Sequence, residues 1–184
     1  MIATITEIKT RLNITGSGDD AVLTQVLEQI DQAIKTYLDR NVESIAYDEY
    51  VDTSEGLHSD RYFTKDFPID EDSVTVTNNE TEWVEGTNYD VDYINGIIYF
   101  HTLPSIGFKE LRVQYTAGYS AEAMPKDIKM AVINASCTLF NNRKQTGVKS
   151  ESLGDYSVTY ADSNSTDGLL DDVSNILDKY RRYV

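Results

Sequence analysis

The feature of this chain that most constrains its fold is the order in which helical and strand patterns follow one another. Two helical patterns open the sequence, strands and turns follow from Ile45 to Tyr119, and two further helical patterns close it. This order is not typical of a common enzyme fold. It predicts an α+β protein: a helical bundle of about four helices with a long antiparallel β insertion between the second and third helices.

The length of 184 residues is that of one domain of ordinary size. We expect a single domain over residues 1–184. It would comprise N-terminal helices (1–44), a β-rich insertion (45–120) and C-terminal helices with a short β-hairpin (121–184).

The helices are predicted from spacing and from capping residues. Thr4 and Glu7 have the spacing of a capping box. The second helix should end near Arg40, the third should start at Pro125, whose fixed φ suits a first turn, and a fourth should start near Asp167. The strongest periodic signal is the apolar stripe of the second helix, formed by Val22, Leu23, Val26, Leu27, Ile30, Ala33, Ile34, Tyr37 and Leu38.

The central block is predicted to be β-structure because its apolar residues alternate. The segment from Ser73 to Thr77 alternates and is β-branched, as strands are. Asn95-Gly96, between two apolar runs, is the strongest hairpin signal in the chain. Eight of the 13 tyrosines lie between Tyr47 and Tyr119, and cross-strand aromatic packing explains them better than ligand stacking does.

The acidic residues are concentrated in the same block. Of a net charge of −15, residues 41–120 supply 16 Asp and Glu against four Lys and Arg. Such a surface repels nucleic-acid phosphates, so a conventional DNA-binding module is disfavoured. A channel through which DNA slides without adhering is compatible with it, and so is an acidic surface that only keeps the protein soluble.

No catalytic or metal-binding constellation emerges from the sequence. His58 and His101 lie in different loops without metal-ligand spacing, and nucleophile-elbow, P-loop and dinucleotide motifs are absent. The segment from Asp162 resembles a calcium loop, but Asp167 replaces its Gly and Val173 its Glu. We therefore expect no enzyme activity, no metal and no cofactor.

The single cysteine, the lengths of the apolar runs and the N-terminal segment together indicate a cytosolic protein. Cys137 is the single cysteine and is expected to be a buried small apolar residue in the third helix. No apolar run approaches the roughly 20 residues of a membrane helix, so no membrane association is expected. A secretory signal is not evident at the N-terminus either.

Several segments carry a resemblance to a known family through their order and spacing. They are Asp19-Asp20 with the long second helix, Tyr115–Tyr119, Met124–Ala131, Phe140–Arg143 and Ser152–Val158. On these segments the chain resembles the head–tail connector proteins, also called adaptor or head completion proteins, of tailed bacteriophages and prophages. Its β block is longer than that of the smallest adaptors, so loop roles are not transferred residue by residue.

The resemblance implies a structural role in the neck of the virion, after synthesis in the cytoplasm of a bacterial host. Such proteins form a ring, on the order of twelve copies, beneath the portal protein. The ring extends the DNA channel, through which DNA passes without specific binding, and docks a stopper or tail-completion protein. A subunit of this kind can require its partner for assembly, so a monomer in isolation is compatible with the role.

The C-terminal helix and tail are the predicted portal-binding site, because aromatic and Arg side chains are enriched at interfaces. A helix that only completes the subunit core explains the same apolar residues equally well. The predicted residues are Leu169, Leu170, Val173, Ile176, Tyr180, Arg181, Arg182 and Tyr183.

Two other functions remain open. A stopper or tail-completion protein is one, although stoppers are mostly β-barrel and the helical ends of this chain count against it. The other is a non-viral module that binds peptide or carbohydrate through the tyrosine-rich sheet. A concave, exposed aromatic face would favour that module, and buried tyrosines would remove its basis.

Overall fold

The computed structural model describes residues 1–53, 60–143, 150–153, 156–159 and 173–182. His58, residues 162–172 of the calcium-like segment and the predicted start of the fourth helix lie outside these ranges. The chain divides into two compact units. The helical unit comprises Met1–Asp39 and Met124–Val184, and the β unit comprises Arg40–Ala123. The fold is mixed α+β with antiparallel sheets, as predicted.

The helical unit contains α1 (Ile5–Leu12), α2 (Asp20–Leu38) and α3 (Lys126–Asn142). A fourth helix is described over residues 173–177 and continues as a 3₁₀ turn, Asp178–Tyr180. Strands β8 (Ser150–Leu153) and β9 (Tyr156–Thr159) form the predicted short hairpin. The buried side chains follow the predicted stripe and include Ile8, Leu23, Leu27, Ile30, Ile34, Ile128, Val132 and Leu177.

The first helix starts with the predicted capping box. The backbone N–H of Thr4 donates to Glu7 Oε2 at 2.8 Å, and the N–H of Glu7 donates to Thr4 Oγ1 at 3.3 Å. Burial by itself would raise the pKa of Glu7, but these hydrogen bonds and Lys129 Nζ, 3.3 Å from Glu7 Oε1, lower it overall. The helix N-terminus is thus held by reciprocal side-chain and backbone contacts.

Three details of the helices differ from the sequence-based expectation. Helix α2 ends at Leu38, before Arg40, because Asp39 takes a left-handed conformation with φ 53°. Pro125 is the N-cap of α3 and not its first residue. Cys137, which was expected to be buried, is only half-buried, although its neighbour Ser136 is fully buried.

The β unit contains two antiparallel sheets. One has the order β1-β7-β3-β4 and the other the order β2-β6-β5. Residues of both sheets form one core, which includes Val76, Ile98, Phe100, Val113 and Tyr115. The strands are β1 (Ile45–Val51), β2 (Arg61–Phe63), β3 (Thr75–Asn78), β4 (Thr81–Glu82), β5 (Tyr89–Asp92), β6 (Ile97–Phe100) and β7 (Leu111–Ala117).

The predicted hairpin at Asn95-Gly96 joins β5 to β6, but its loop is longer than two residues. Asp92 pairs with Ile97, which leaves a four-residue loop, 93–96. The longer loop is closed by Asp92, whose Oδ1 accepts from the N–H of Asn95 at 3.0 Å and whose carbonyl accepts from the N–H of Gly96 at 2.8 Å. Gly96 supplies the positive φ of 65° that the turn requires.

The register of β1 against β7 defines the two ends of the sheet. Ile45 pairs with Ala117, so the chain enters and leaves the β unit at one end. Val51 pairs with Leu111 at the other end. Because the β6–β7 loop, residues 101–110, leads directly into Leu111, it lies at the end opposite the entry and exit of the chain.

Candidate partner-binding surfaces

The C-terminal segment, residues 173–182, packs on the other helices of the helical unit. Val173 is 6% exposed and Leu177 is fully buried. Tyr180 Oη donates to Asp127 Oδ1 at 2.6 Å, in the first turn of α3. Tyr37 Oη of α2 donates to Asp178 Oδ1 at 2.7 Å. The segment is therefore fixed to two helices of its own unit.

These contacts divide the predicted portal-binding residues into those engaged within the subunit and those that stay accessible on its surface. Val173 lies in the subunit core and Tyr180 is hydrogen-bonded within the unit, as expected of a helix that completes the core. Ile176 and Arg182 are half-buried, and Arg181 is exposed with its guanidinium carbon 5.7 Å from the centroid of the Tyr37 ring. Portal binding stays a prediction for this surface. Outside the described residues lie Leu169, Leu170 and Tyr183.

Tyrosines of the β unit pack on one another and bind buried carboxylates. The rings of Tyr47 and Tyr115, which are directly paired across β1 and β7, stack with centroids 5.1 Å apart. The predicted cross-strand aromatic packing is thus confirmed for this pair. Tyr47 Oη donates to Asp66, and burial together with that bond raises the pKa of Tyr47 to about 12.

Glu49 is the second buried carboxylate of this network. Its Oε2 accepts hydrogen bonds from Tyr62 and, at 3.3 Å, from Tyr115, while Lys65 Nζ lies 2.6 Å from its Oε1. Burial and the contact with Glu49 raise the pKa of Tyr62. These hydroxyl groups are engaged inside the protein, so they stabilise the sheet and do not form a concave aromatic surface for a peptide or carbohydrate.

His101 forms a small surface cluster with Asp90 of β5 and Thr87 of the loop before β5. Its Nε2 lies 2.9 Å from Asp90 Oδ2 and its Nδ1 3.1 Å from the carbonyl oxygen of Thr87. The hydrogen bond with Asp90 raises the pKa of His101. Within the described ranges, no group of three or more His, Cys, Asp or Glu side chains could hold a metal ion.

Among the described residues, no helix is both long enough and apolar enough to cross a bilayer.

The β6–β7 loop carries an exposed apolar surface that the sequence reading did not identify. Leu103, Ile106 and Phe108, hereafter the apolar tip, are 61%, 72% and 71% exposed. Their grouping within six residues is unusual, because single exposed apolar residues are common but clusters mark interaction sites. The absence of strand alternation near Pro104 and Gly107 was the signal that could have separated this segment from the core strands.

Hydrogen bonds to both sides of the sheet fix the loop that carries the apolar tip. The buried Thr53 donates through Oγ1 to the carbonyl of Ser105 at 2.7 Å, and its N–H donates to the carbonyl of Gly107 at 3.2 Å. Asn78 exchanges two hydrogen bonds with Ser105, at 3.1 and 3.2 Å. The apolar tip is therefore held in position although its side chains are exposed.

A cation lies beside the apolar tip. Lys109 Nζ is 5.3 Å from the centroid of the Phe108 ring and 5.6 Å from that of Tyr50, which is 51% exposed. Arg112 also lies over Tyr50, but its guanidinium forms two hydrogen bonds with Asp48, at 2.8 and 2.6 Å. This end of the β unit thus presents an apolar surface beside Lys109, whose ammonium group contacts aromatic rings.

A second exposed surface of the β unit is acidic. Glu82, at the end of the short edge strand β4, and Glu85 are exposed on either side of Val84, which is 63% exposed. Glu85 accepts from Tyr93 Oη at 2.7 and 2.8 Å, and the N–H of Val84 donates to Asn88 Oδ1 at 2.9 Å. We refer to residues 82–85 as the acidic segment.

The family model described as head completion protein matches residues 1–183 of the chain. The chain belongs to the head completion protein family. This confirms the resemblance that the order of the sequence segments indicated.

Chains of three solved structures are similar in fold to this head completion protein. A chain from the neck of an empty gene transfer agent (GTA) particle, computed with C6 symmetry, is 16% identical at TM-score 0.60, covering 97% of this chain and 89% of that one. A chain from the neck of a native GTA particle, computed with C12 symmetry, is 17% identical at TM-score 0.59, with 98% and 88% covered.

A third structure, the virion of a native GTA particle, contains a chain that is 15% identical at TM-score 0.57, with 93% of this chain and 81% of that one covered. No curated protein sequence shows significant similarity to this chain. At these identities the similarity concerns the fold of the head completion protein, which extends over nearly the whole chain.

Proposed function

We propose that this head completion protein is a structural component of the neck of a tailed phage or a phage-like particle. About twelve copies form a closed ring beneath the portal, extend the DNA channel and dock a stopper or tail-completion protein. The observation that carries the proposal is the family match over residues 1–183. The likeness in fold to chains from GTA necks, at TM-scores of 0.59 and 0.60, supports it.

In this proposal residues 1–184 act as one connector subunit without enzymatic activity. The helices are its bundle and the β unit is the insertion. Acidic side chains of the β unit line or approach the channel, so that DNA phosphates are repelled and DNA moves without adhering. The excess of 12 negative charges in residues 41–120 supports this part of the proposal.

The portal side of the ring is proposed to use the surface of the C-terminal segment around Arg181. This side chain is exposed, and the segment under it is fixed by the Tyr180–Asp127 and Tyr37–Asp178 hydrogen bonds. A fixed segment loses little conformational entropy on binding. Arg is also among the side chains enriched at interfaces.

An affinity pull-down from cells that produce the particles tests the proposal. The tagged chain should recover the portal protein and a further neck protein in stoichiometric amounts, as identified by mass spectrometry. Arg181→Ala should reduce the recovery of the portal protein, whereas Lys179→Ala, an exposed cation in the same segment, should not. Recovery of neither protein from normally assembled particles would contradict the neck assignment.

A further inference from the structure

We infer that the apolar tip is an interface between copies of this chain, in which the tip and Lys109 of one copy dock on the acidic segment of the next. The inference rests on the proposed ring and names the surfaces that join its subunits. Four features of the β unit lead to it: the exposure of the tip, the anchoring of its loop, the position of Lys109 and the local charge of the acidic segment.

The apolar tip is exposed and anchored at the same time. Its three side chains are 61–72% exposed, while the loop backbone is fixed by Thr53 and Asn78. When a partner removes such an apolar surface from water, the free energy of the complex is lowered. Because the loop is already ordered, docking requires little additional ordering, which is the usual reason why preorganised loops bind well.

The cations of the β unit show why Lys109 is suited to an intermolecular contact. The unit contains five Lys and Arg, and the guanidinium of Arg40 lies over the ring of Phe67. Three others are beside carboxylates: Arg61 with Asp60, Lys65 with Glu49, and Arg112 with Asp48. Lys109 instead contacts the rings of Phe108 and Tyr50, and it forms no ion pair with a carboxylate of the described residues. An acidic partner surface would complement it.

The acidic segment of a second copy has the matching chemistry. It presents an exposed apolar side chain, Val84, between the carboxylates of Glu82 and Glu85. Two copies repel each other through their net charge, but the screening length is about 8 Å at physiological ionic strength, so charges in direct contact dominate. Docking of the tip on the acidic segment therefore places opposite charges together within an otherwise acidic assembly.

The same chemistry disfavours a symmetric pair of tips. A tip-to-tip contact would bring Lys109 of one copy towards Lys109 of the other. Contact between two different surfaces is heterologous, and a heterologous contact repeats from subunit to subunit until the ring closes. The pairing of the apolar tip with the acidic segment is thus of the type that a ring requires.

Disulfide crosslinking in assembled particles tests the pairing directly. In a Cys137→Ser background, the full chain with Phe108→Cys and Val84→Cys is produced in particle-forming cells, and purified particles are run on non-reducing gels. We expect a ladder of covalent multimers. Each single cysteine variant should give monomer, and so should the pair Phe108→Cys with Ile94→Cys. Ile94 is a matched control because it is apolar, 77% exposed and lies in the β5–β6 loop, at the end of β6 opposite the apolar tip.

Three crosslinking results would overturn the inference. One is that the variant with Phe108→Cys and Val84→Cys is incorporated into the particles but runs only as monomer. Another is a dimer from Phe108→Cys alone, which would indicate tip-to-tip contact. The third is a crosslink from Phe108→Cys to a different neck protein, which would assign the tip to that partner.

Charge exchange gives a second, independent measurement. Lys109→Glu should lower the amount of chain in purified particles about tenfold, and Glu82→Lys with Glu85→Lys should do the same. The combination of all three should restore it to within about twofold. Arg61→Glu, which reverses a cation elsewhere in the β unit, should have little effect. Loss without restoration in the combined variant would contradict the pairing.

These measurements separate the inference from the proposed function. If the tagged wild-type chain is missing from purified particles, the neck assignment itself fails. If the chain is present, but neither the crosslinks nor the charge exchange behave as expected, only the proposed contact between copies fails.

Discussion

The helical unit and the β unit differ in how their buried residues are spaced along the chain. In the helical unit the buried apolar residues repeat along single helices, and the polar contacts include the local pair Thr4–Glu7 as well as the distant pair Tyr37–Asp178. In the β unit side-chain contacts between strands join distant residues, as in Glu49–Tyr115, which are 66 positions apart. The comparison teaches that local pattern determines the helices of the first unit, whereas the strands of the second depend on pairings that only the complete sheet provides.

The largest expected effect is the disruption of one long-range pairing in the β unit. Gly118 has φ +100°, and a Cβ atom there would lie 2.3 Å from the carbonyl oxygen of Glu43. Gly118→Ala must therefore adopt a strained conformation and displace backbone. We expect it to lower the free energy of unfolding by about 3 to 4 kcal/mol. Fluorescence of Trp83, the single Trp of the chain, measures this in denaturant titrations of the β unit.

Two other glycines are matched controls for Gly118→Ala. Gly86→Ala shares the positive φ, +77°, but has no atom within 4 Å of the added Cβ, so it should cost about 1 kcal/mol. Gly16→Ala has neither feature and should be close to neutral. Equal losses for Gly118→Ala and Gly86→Ala would show that the approach of the Glu43 backbone is unimportant.

The corresponding change in the helical unit is a cavity in its apolar stripe. Leu27 is fully buried in α2, so Leu27→Ala should cost about 3 kcal/mol. Val22→Ala, at a member of the predicted stripe that is 38% exposed in the structure, should cost well under half of that. Thermal unfolding followed by helical circular dichroism measures both. Similar losses would mean that the structure's buried face of α2, which includes Leu27 but not Val22, does not carry the packing.

A smaller effect is expected from one hydroxyl of the tyrosine–carboxylate network. Tyr62→Phe removes a donor to Glu49 but leaves the contacts of Glu49 with Tyr115 and Lys65. We expect a loss of about 1.5 kcal/mol, since the hydrogen bond is to a charged group. Tyr50→Phe, at an exposed position, should lie within about 0.5 kcal/mol of wild type. The two variants would be indistinguishable if the network contributed nothing.

The smallest effect concerns pH and the capping box of α1. The pKa of Glu7 is lowered in the folded protein, because hydrogen bonds from Thr4 and the contact with Lys129 outweigh burial. Its contribution to stability is therefore present above the unfolded pKa and is lost as pH falls through the folded pKa. Glu7→Gln should flatten the loss of stability below about pH 4.5. An unchanged acid limb in Glu7→Gln would exclude this role.

The sequence predicted the elements of both units because their signals are local. The capping box at Thr4, the stripe through Leu27 and the hairpin before Ile97 were identified from spacing alone. Errors of one to three residues arose where a single backbone conformation decided the boundary, as at Asp39 in the left-handed region. No sequence pattern reveals such a conformation reliably, because Asp adopts it only in some contexts.

The candidate surfaces were less predictable than the fold. The apolar tip was not identified, because apolar residues in a loop look like core residues until the anchoring by Thr53 and Asn78 is known. The predicted C-terminal site comprised residues of the last helix and its tail; of these, Val173 is buried in the subunit core, whereas Arg181 is exposed. Exposure depends on tertiary packing, and periodicity predicts only which residues share a face.

The meeting of the two ends of the β unit has a consequence for how such chains can change in length. Ile45 pairs with Ala117, and the N–H of Tyr119 donates to the carbonyl of Val42 at 2.8 Å. The strands themselves therefore hold together the two ends of the segment that interrupts the helical sequence. Strand pairing, and not helix packing, offsets the entropic cost of closing this loop of about 80 residues. A lineage can lengthen, shorten or exchange everything between these two contacts while the helical segments keep the same spacing.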